Sequence, residues 1–76
     1  MVKKNILYYK VQDFLNIKLD ELNPEDSITT LGIDSMKLYQ LIGLLEENLD
    51  IEINISDNLD MKIKNIFKYI DIYKLK

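Results

Sequence analysis

The chain has 76 residues, 47% of them hydrophobic, with 13 acidic against 10 basic residues and a formal net charge of −3, which is enough apolar material for one small core and too little for two. It contains no Cys and no His, and this excludes a disulfide staple, a cysteine nucleophile, and the commonest metal ligand and general base. With only two Gly, one Pro and no internal repeat, every segment is an element or a short connection, so a single domain over residues 1–76 is expected.

Along residues 3–17, Leu7, Val11, Phe14 and Leu15 recur at i, i+4, i+7 and i+8, the spacing of one helical stripe. Tyr8, Tyr9 and Ile17 lie off that stripe or at its edge. Residues 20–27 hold Pro24 among many acids and read as a loop, closed by Ile28 and Leu31 turning inward. Residues 35–49 place Leu38, Leu41, Ile42, Leu45 and Leu49 in a narrow arc at about 100° per residue, a second helix with one core face. Ile51-Glu52-Ile53-Asn54-Ile55 alternates in strand fashion, but the chain has no second alternating run to pair with it, so an extended connection with Ile51 and Ile53 in the core is expected. Capping residues over 56–60 suit one short helical turn. In residues 61–73, Ile63, Ile66, Phe67 and Ile70 repeat at helical spacing before a Lys-rich end that complements the negative pole of the dipole. The expected fold is all-α, a small four-helix bundle of three longer helices and one short turn. No apolar run approaches the roughly 20 residues of a membrane span, and the N-terminal stretch is too short and polar for a signal peptide, so a cytoplasmic location is expected.

The most informative stretch is Leu31-Gly32-Ile33-Asp34-Ser35-Met36. A serine at the mouth of an amphipathic helix meets unpaired backbone N–H groups and the positive end of the dipole, which favour a phosphate ester there. Asp34 adds a carboxylate beside it. Either residue also suits an ordinary N-cap. A catalytic serine is a poor fit, because no His activates it, the two Gly form no nucleophile elbow, and Lys37 does not face it as a base should. Outside the core arc of the same helix, Met36, Tyr39 and Gly43 cluster with Gln40 and Glu47. Met36, Tyr39 and Gly43 suit a partner contact with Gly43 as a notch for another backbone, or else a stray exposed apolar residue, a core-margin residue and a tolerated weak point respectively.

Charge is segregated along the sequence. Residues 1–19 hold four Lys and one Asp, residues 20–60 hold eleven acids and one Lys, and residues 61–76 hold five Lys and one Asp. Such an acidic middle would steer basic partner surfaces and repel nucleic acid, or its members merely solvate loops and helix starts.

The Leu31 to Met36 motif, followed by Leu41, Leu45-Glu46-Glu47 and Ile51-Glu52-Ile53, makes residues 26–53 resemble the acyl and peptidyl carrier protein family. The resemblance implies the same small bundle and a non-catalytic carrier, with a phosphopantetheine arm from coenzyme A attached to Ser35 next to Asp34. That arm would supply the thiol that a chain without Cys lacks. It implies partner contacts at Met36, Lys37, Tyr39, Gln40, Gly43 and Glu47. The implied partners are a phosphopantetheinyl transferase, an acyl- or aminoacyl-loading ligase or adenylation enzyme, and downstream condensing, modifying or transferring enzymes, all meeting a monomer. Fatty acid carriers usually have acids at the positions of Lys37 and Gln40 and a proline in the connection after Ile53. This chain has neither, and it looks more like peptidyl and D-alanyl carriers, although Ile33 replaces the second glycine usual in peptidyl carriers. A discrete aminoacyl or specialised acyl carrier is therefore expected, with a type II fatty acid carrier as the alternative. From another class, the alternative is a helical interaction module whose Ser35 stays unmodified.

Overall fold

A computed structural model describes residues 4–54 and 61–73. They form three α-helices, α1 (Ile6–Leu15), α2 (Ser35–Leu49) and α3 (Ile63–Asp71), with 3₁₀ turns at Leu19–Glu21 and Ile28–Leu31. Among the described residues the only β-type pairing is an isolated antiparallel bridge between Ser27 and Lys62, so the fold is all-α as expected. The short turn expected at residues 56–60 lies outside the described residues.

Local chemistry sets the helix limits. The Asn5 side chain accepts the Tyr8 N–H at 2.9 Å and caps α1, and the chain leaves that helix through Asn16 in the left-handed region, φ 56°. Asn tolerates that conformation better than other residues with a Cβ, which is why α1 stops short of the expected Ile17. Helix α2 leaves through Asp50 at φ 58°. At the start of α3 the Lys62 N–H donates to the Asn65 side-chain oxygen at 3.0 Å.

Contacts between elements fix the topology. Lys37 at the start of α2 lies 5.3 Å from the centroid of the Phe14 ring near the end of α1, while Lys10 donates to Asn48 near the end of α2 at 3.0 Å. Helices α1 and α2 are therefore antiparallel. The Asn5 amide donates to the Ile70 carbonyl at 2.9 Å, which brings the end of α3 to the start of α1. The opposite end of α3 is held by the acidic loop. Ile63 N–H donates to the Asp26 carbonyl and Lys64 N–H to the Pro24 carbonyl, both at 2.9 Å, and Ile28 N–H donates to the Met61 carbonyl at 2.7 Å. Two first-turn amides of α3 are thus satisfied by a segment distant in sequence instead of by a local cap.

One core results, built from Leu7, Val11 and Leu15 of α1, Leu38, Leu41, Ile42 and Leu45 of α2, Ile63, Ile66 and Ile70 of α3, and Tyr8, Leu19, Ile28, Ile53 and Met61. Several expectations are corrected. Tyr8 is 2% exposed and belongs to the core. At about 100° per residue it falls only some 20° beyond Leu15, so the α1 stripe is centred nearer Tyr8 than Phe14. Phe14 packs at the edge, as do Leu49 and Phe67. Ile53 is buried, but Ile51 is 38% exposed; the Glu46 carboxylate accepts the Ile53 N–H at 2.8 Å and draws that residue inward. The acidic loop is more regular than expected, because the Leu19–Glu21 turn enters its first residues. Gln12 fixes that turn by accepting the Leu19 N–H at 3.1 Å.

Candidate functional site

Gly32, at φ 78°, ends the Ile28–Leu31 turn and swings the chain toward α2. A Cβ there would be strained by the positive φ alone. Two residues later Asp34 adopts extended backbone, and its carboxylate accepts the Lys37 N–H at 2.8 Å. The N-cap is therefore Asp34, and Ser35 is the first helical residue. Asp34, Ser35 and Met36 are all exposed. Of the first four amides of α2, Lys37 is bound by the Asp34 side chain and Leu38 by the Asp34 carbonyl at 3.0 Å. Those of Ser35 and Met36 remain to face an oxyanion.

The arrangement fits a phosphodiester on the Ser35 hydroxyl. The oxygen is accessible, no cap depends on it, and two backbone donors with the helix dipole stand beside the position of the phosphate charge. Lys37 is drawn across to Phe14 and away from Ser35. Two shallow depressions of about 320 and 220 Å³ lie along α1 and the turn after it, and neither is lined by Ser35 or its neighbours. The separation of capping from attachment gives a direct expectation: Asp34→Ala should cost about 1 kcal/mol of stability, whereas Asp34→Asn, which keeps the cap, should cost much less. Urea titrations of the two variants check this.

The partner residues expected on α2 divide in two. Met36, Tyr39, Gln40, Gly43 and Glu47 are exposed together on the face away from the core, at i, i+3, i+4, i+7 and i+11. Met36 is 69% and Tyr39 47% exposed, so Tyr39 is not a core residue. Lys37 stands apart, half-buried over Phe14. A Cβ built on Gly43 meets nothing within 4 Å, and its φ is not positive, so neither packing nor backbone requires glycine there. Gly43→Ala should therefore stabilise the fold by about 0.5–1 kcal/mol, seen as a melting temperature higher by roughly 2–8 °C.

The charge pattern differs from the linear one. Lys4 pairs with Asp20 at 3.8 Å, and Glu25 pairs with Lys64 at 3.4 Å and Lys62 at 3.9 Å, so lysines from both basic segments reach the acidic loop. These pairs are exposed and worth about 0–1 kcal/mol each, but they offset acid charge that would otherwise steer partners. The half-buried Glu46 is turned to the Ile53 N–H. Part of the acidic charge of the loop before α2 is thus offset by lysines of the basic segments. Sequence reasoning missed this, as well as the Phe14–Lys37 contact, because both depend on pairings between distant segments.

The family model of the phosphopantetheine attachment site matches residues 7–66, and the chain belongs to that family of non-catalytic carriers, whose prosthetic group is a covalently attached phosphopantetheine. The chain is 39% identical over 74 residues to an acyl carrier protein of Buchnera aphidicola, covering 96% of this chain and 85% of the relative. It is 34% identical over 62 residues to one from Nitratidesulfovibrio vulgaris, covering 79% and 82% of the two chains. With one from Lactococcus lactis it shares 31% over 70 residues, covering 86% and 93%. No solved structure gives a significant match. Among the described residues no helix is long and apolar enough to cross a membrane.

Proposed function

We propose that Ser35 is the attachment point of the arm and that the chain acts as a single, monomeric carrier domain in the cytoplasm. The observation that carries this reading is the exposed Ser35 hydroxyl on the first residue of α2, released from capping by Asp34. When attached, the arm supplies a terminal thiol that holds an acyl or aminoacyl group as a thioester. The chain itself holds the serine outward on a rigid helix and presents the Met36, Tyr39, Gln40, Gly43 and Glu47 face to enzymes. A phosphopantetheinyl transferase installs the arm, a ligase or adenylation enzyme loads it, and condensing, modifying or transferring enzymes use the cargo.

For the cargo we favour an aminoacyl or specialised acyl group. Support comes from Lys37 and Gln40, which stand where fatty acid carriers usually carry acids. The second reading, an acyl carrier of the fatty acid type, is favoured by the name acyl carrier protein borne by all three relatives. Incubation with coenzyme A and a broad-specificity phosphopantetheinyl transferase, followed by intact-mass measurement, tests the attachment. One added phosphopantetheine located to Ser35 by peptide mapping is expected. An unchanged mass would leave a helical interaction module as the better description.

A further inference from the structure

We infer that the groove along α1 and the turn after it is a docking site for an acidic, apolar segment of a partner protein, in which a carboxylate is flanked by a large aliphatic or aromatic side chain. The inference goes beyond the carrier reading, because no residue of α2 lines this groove and nothing in it depends on Ser35.

The depressions of about 320 and 220 Å³ both include Gln12 and Lys18, so they adjoin as one groove with these two residues at its middle. Both residues offer donors. The Gln12 side-chain oxygen accepts the Leu19 N–H at 3.1 Å, and since that N–H can donate only to the oxygen, the amide NH₂ is left for a partner outside the described fold. Lys18 is exposed and makes no ion pair among the described residues. An ammonium and an amide donor in one groove suit a carboxylate, which accepts a charge-assisted hydrogen bond from the lysine and a second bond from the amide. Asp13 and Asp20 each line one depression only, and Asp20 lies 3.8 Å from Lys4. The donors therefore hold the middle of the groove, where a basic segment would meet Lys18 in repulsion.

Apolar surface flanks that middle. On one side is Tyr9, 49% exposed, whose ring meets that of the buried Tyr8 edge to face with 5.2 Å between centroids. An exposed aromatic surface is thus held in place by a core residue, so an apolar side chain laid against it gains burial at little ordering cost to the carrier. Ile6, also 49% exposed, continues this surface one helical turn back along α1. On the other side is the half-buried Ile17. Because α1 and α2 are antiparallel, with Phe14 beside Lys37, the depression lined by Gln12, Asn16 and Ile17 lies at the serine end of the bundle. A partner segment seated there would hold the carrier close to the enzyme while the outward face of α2 stays open.

The test is a chemical-shift titration of the isotope-labelled full chain, without the arm, against short peptides of equal length. One alternates Glu and Leu around a central Phe, and two controls carry Gln or Lys in place of every Glu. Expected for the Glu peptide are saturable shifts at the backbone amides of Tyr9, Gln12 and Lys18, with a Kd on the order of 1 mM or tighter, as for a small exposed contact. The Gln and Lys peptides should bind this groove at least about threefold more weakly, and Lys18→Glu should weaken the Glu peptide by at least about threefold. Gln12→Glu, which keeps the oxygen for the Leu19 N–H and removes the donors, should do the same. Thermal melts establish that both variants are folded, and Gln12→Glu decides the matter if Lys18→Glu is not. Absence of saturable shifts at these amides, equal binding of either control peptide, or parent-like binding by the folded variants overturns the inference. Each of those results leaves the carrier reading intact, and a parent chain that gains no mass with coenzyme A and a transferase leaves this inference intact.

Discussion

Ser35→Ala should fold like the parent chain and gain no mass with coenzyme A and a phosphopantetheinyl transferase, while the parent gains one phosphopantetheine. The structure makes this test clean, because Asp34 and not Ser35 accepts the Lys37 N–H. An exposed substitution that removes no cap moves stability by about half a kcal/mol or less, so the melting temperature should stay within about 4 °C. Ser27 and Ser56 are the other serines in the chain. The Ser27 hydroxyl lies 2.9 Å from that of Thr29 in a 3₁₀ turn, and Ser56 lies outside the described residues. A mass gain that persists in Ser35→Ala would move the attachment site away from α2 and remove the basis for the docking face as well.

Leu45→Ala should be among the most damaging single truncations on α2, and it leaves every exposed residue in place. Leu45 is fully buried in the cluster shared by the three helices, and removing a buried leucine side chain costs about 2–5 kcal/mol through lost transfer energy and the cavity left behind. A domain of this size has a total stability of roughly 4–11 kcal/mol, so the variant should melt at least about 10 °C lower or be unfolded at 37 °C. Loss of phosphopantetheine acceptance in parallel with loss of helical circular dichroism is the expected result. A fully folded Leu45→Ala with a parent-like melting curve would mean that the core is not centred where the helices place it.

Much of this architecture is legible in the sequence because it depends on local periodicity. The four core residues Leu38, Leu41, Ile42 and Leu45 stand at helical spacing, and α2 has the bounds Ser35–Leu49 expected for it. The turn and cap of the candidate serine site are legible for the same reason, since Gly32, Asp34 and Ser35 act within one turn of chain. The features that escaped are those set by tertiary contact. Tyr8 looked marginal because a stripe drawn through Phe14 leaves it at the edge, and only packing against the rest of the core shows which way the stripe leans. Ile51 and Ile53 look alike in an alternating run, and the Glu46 hydrogen bond distinguishes them. The charge blocks at the two ends look separate from the acidic middle until Lys4 meets Asp20 and Lys64 meets Glu25.

The hold of the acidic loop on the start of α3 bears on how the carrier withstands handling. Glu25 and Lys64 meet across 39 positions of sequence, and α2 lies wholly within that span. The serine helix is therefore a segment of a closed ring and not an arm hinged at one end. On the loop side this ring closes at the carbonyls of Pro24 and Asp26, and on the α3 side at the amides of Lys64 and Ile63. Because those hydrogen bonds are made by backbone, side-chain substitution in the loop can change its charge without breaking the ties between the loop and the start of α3.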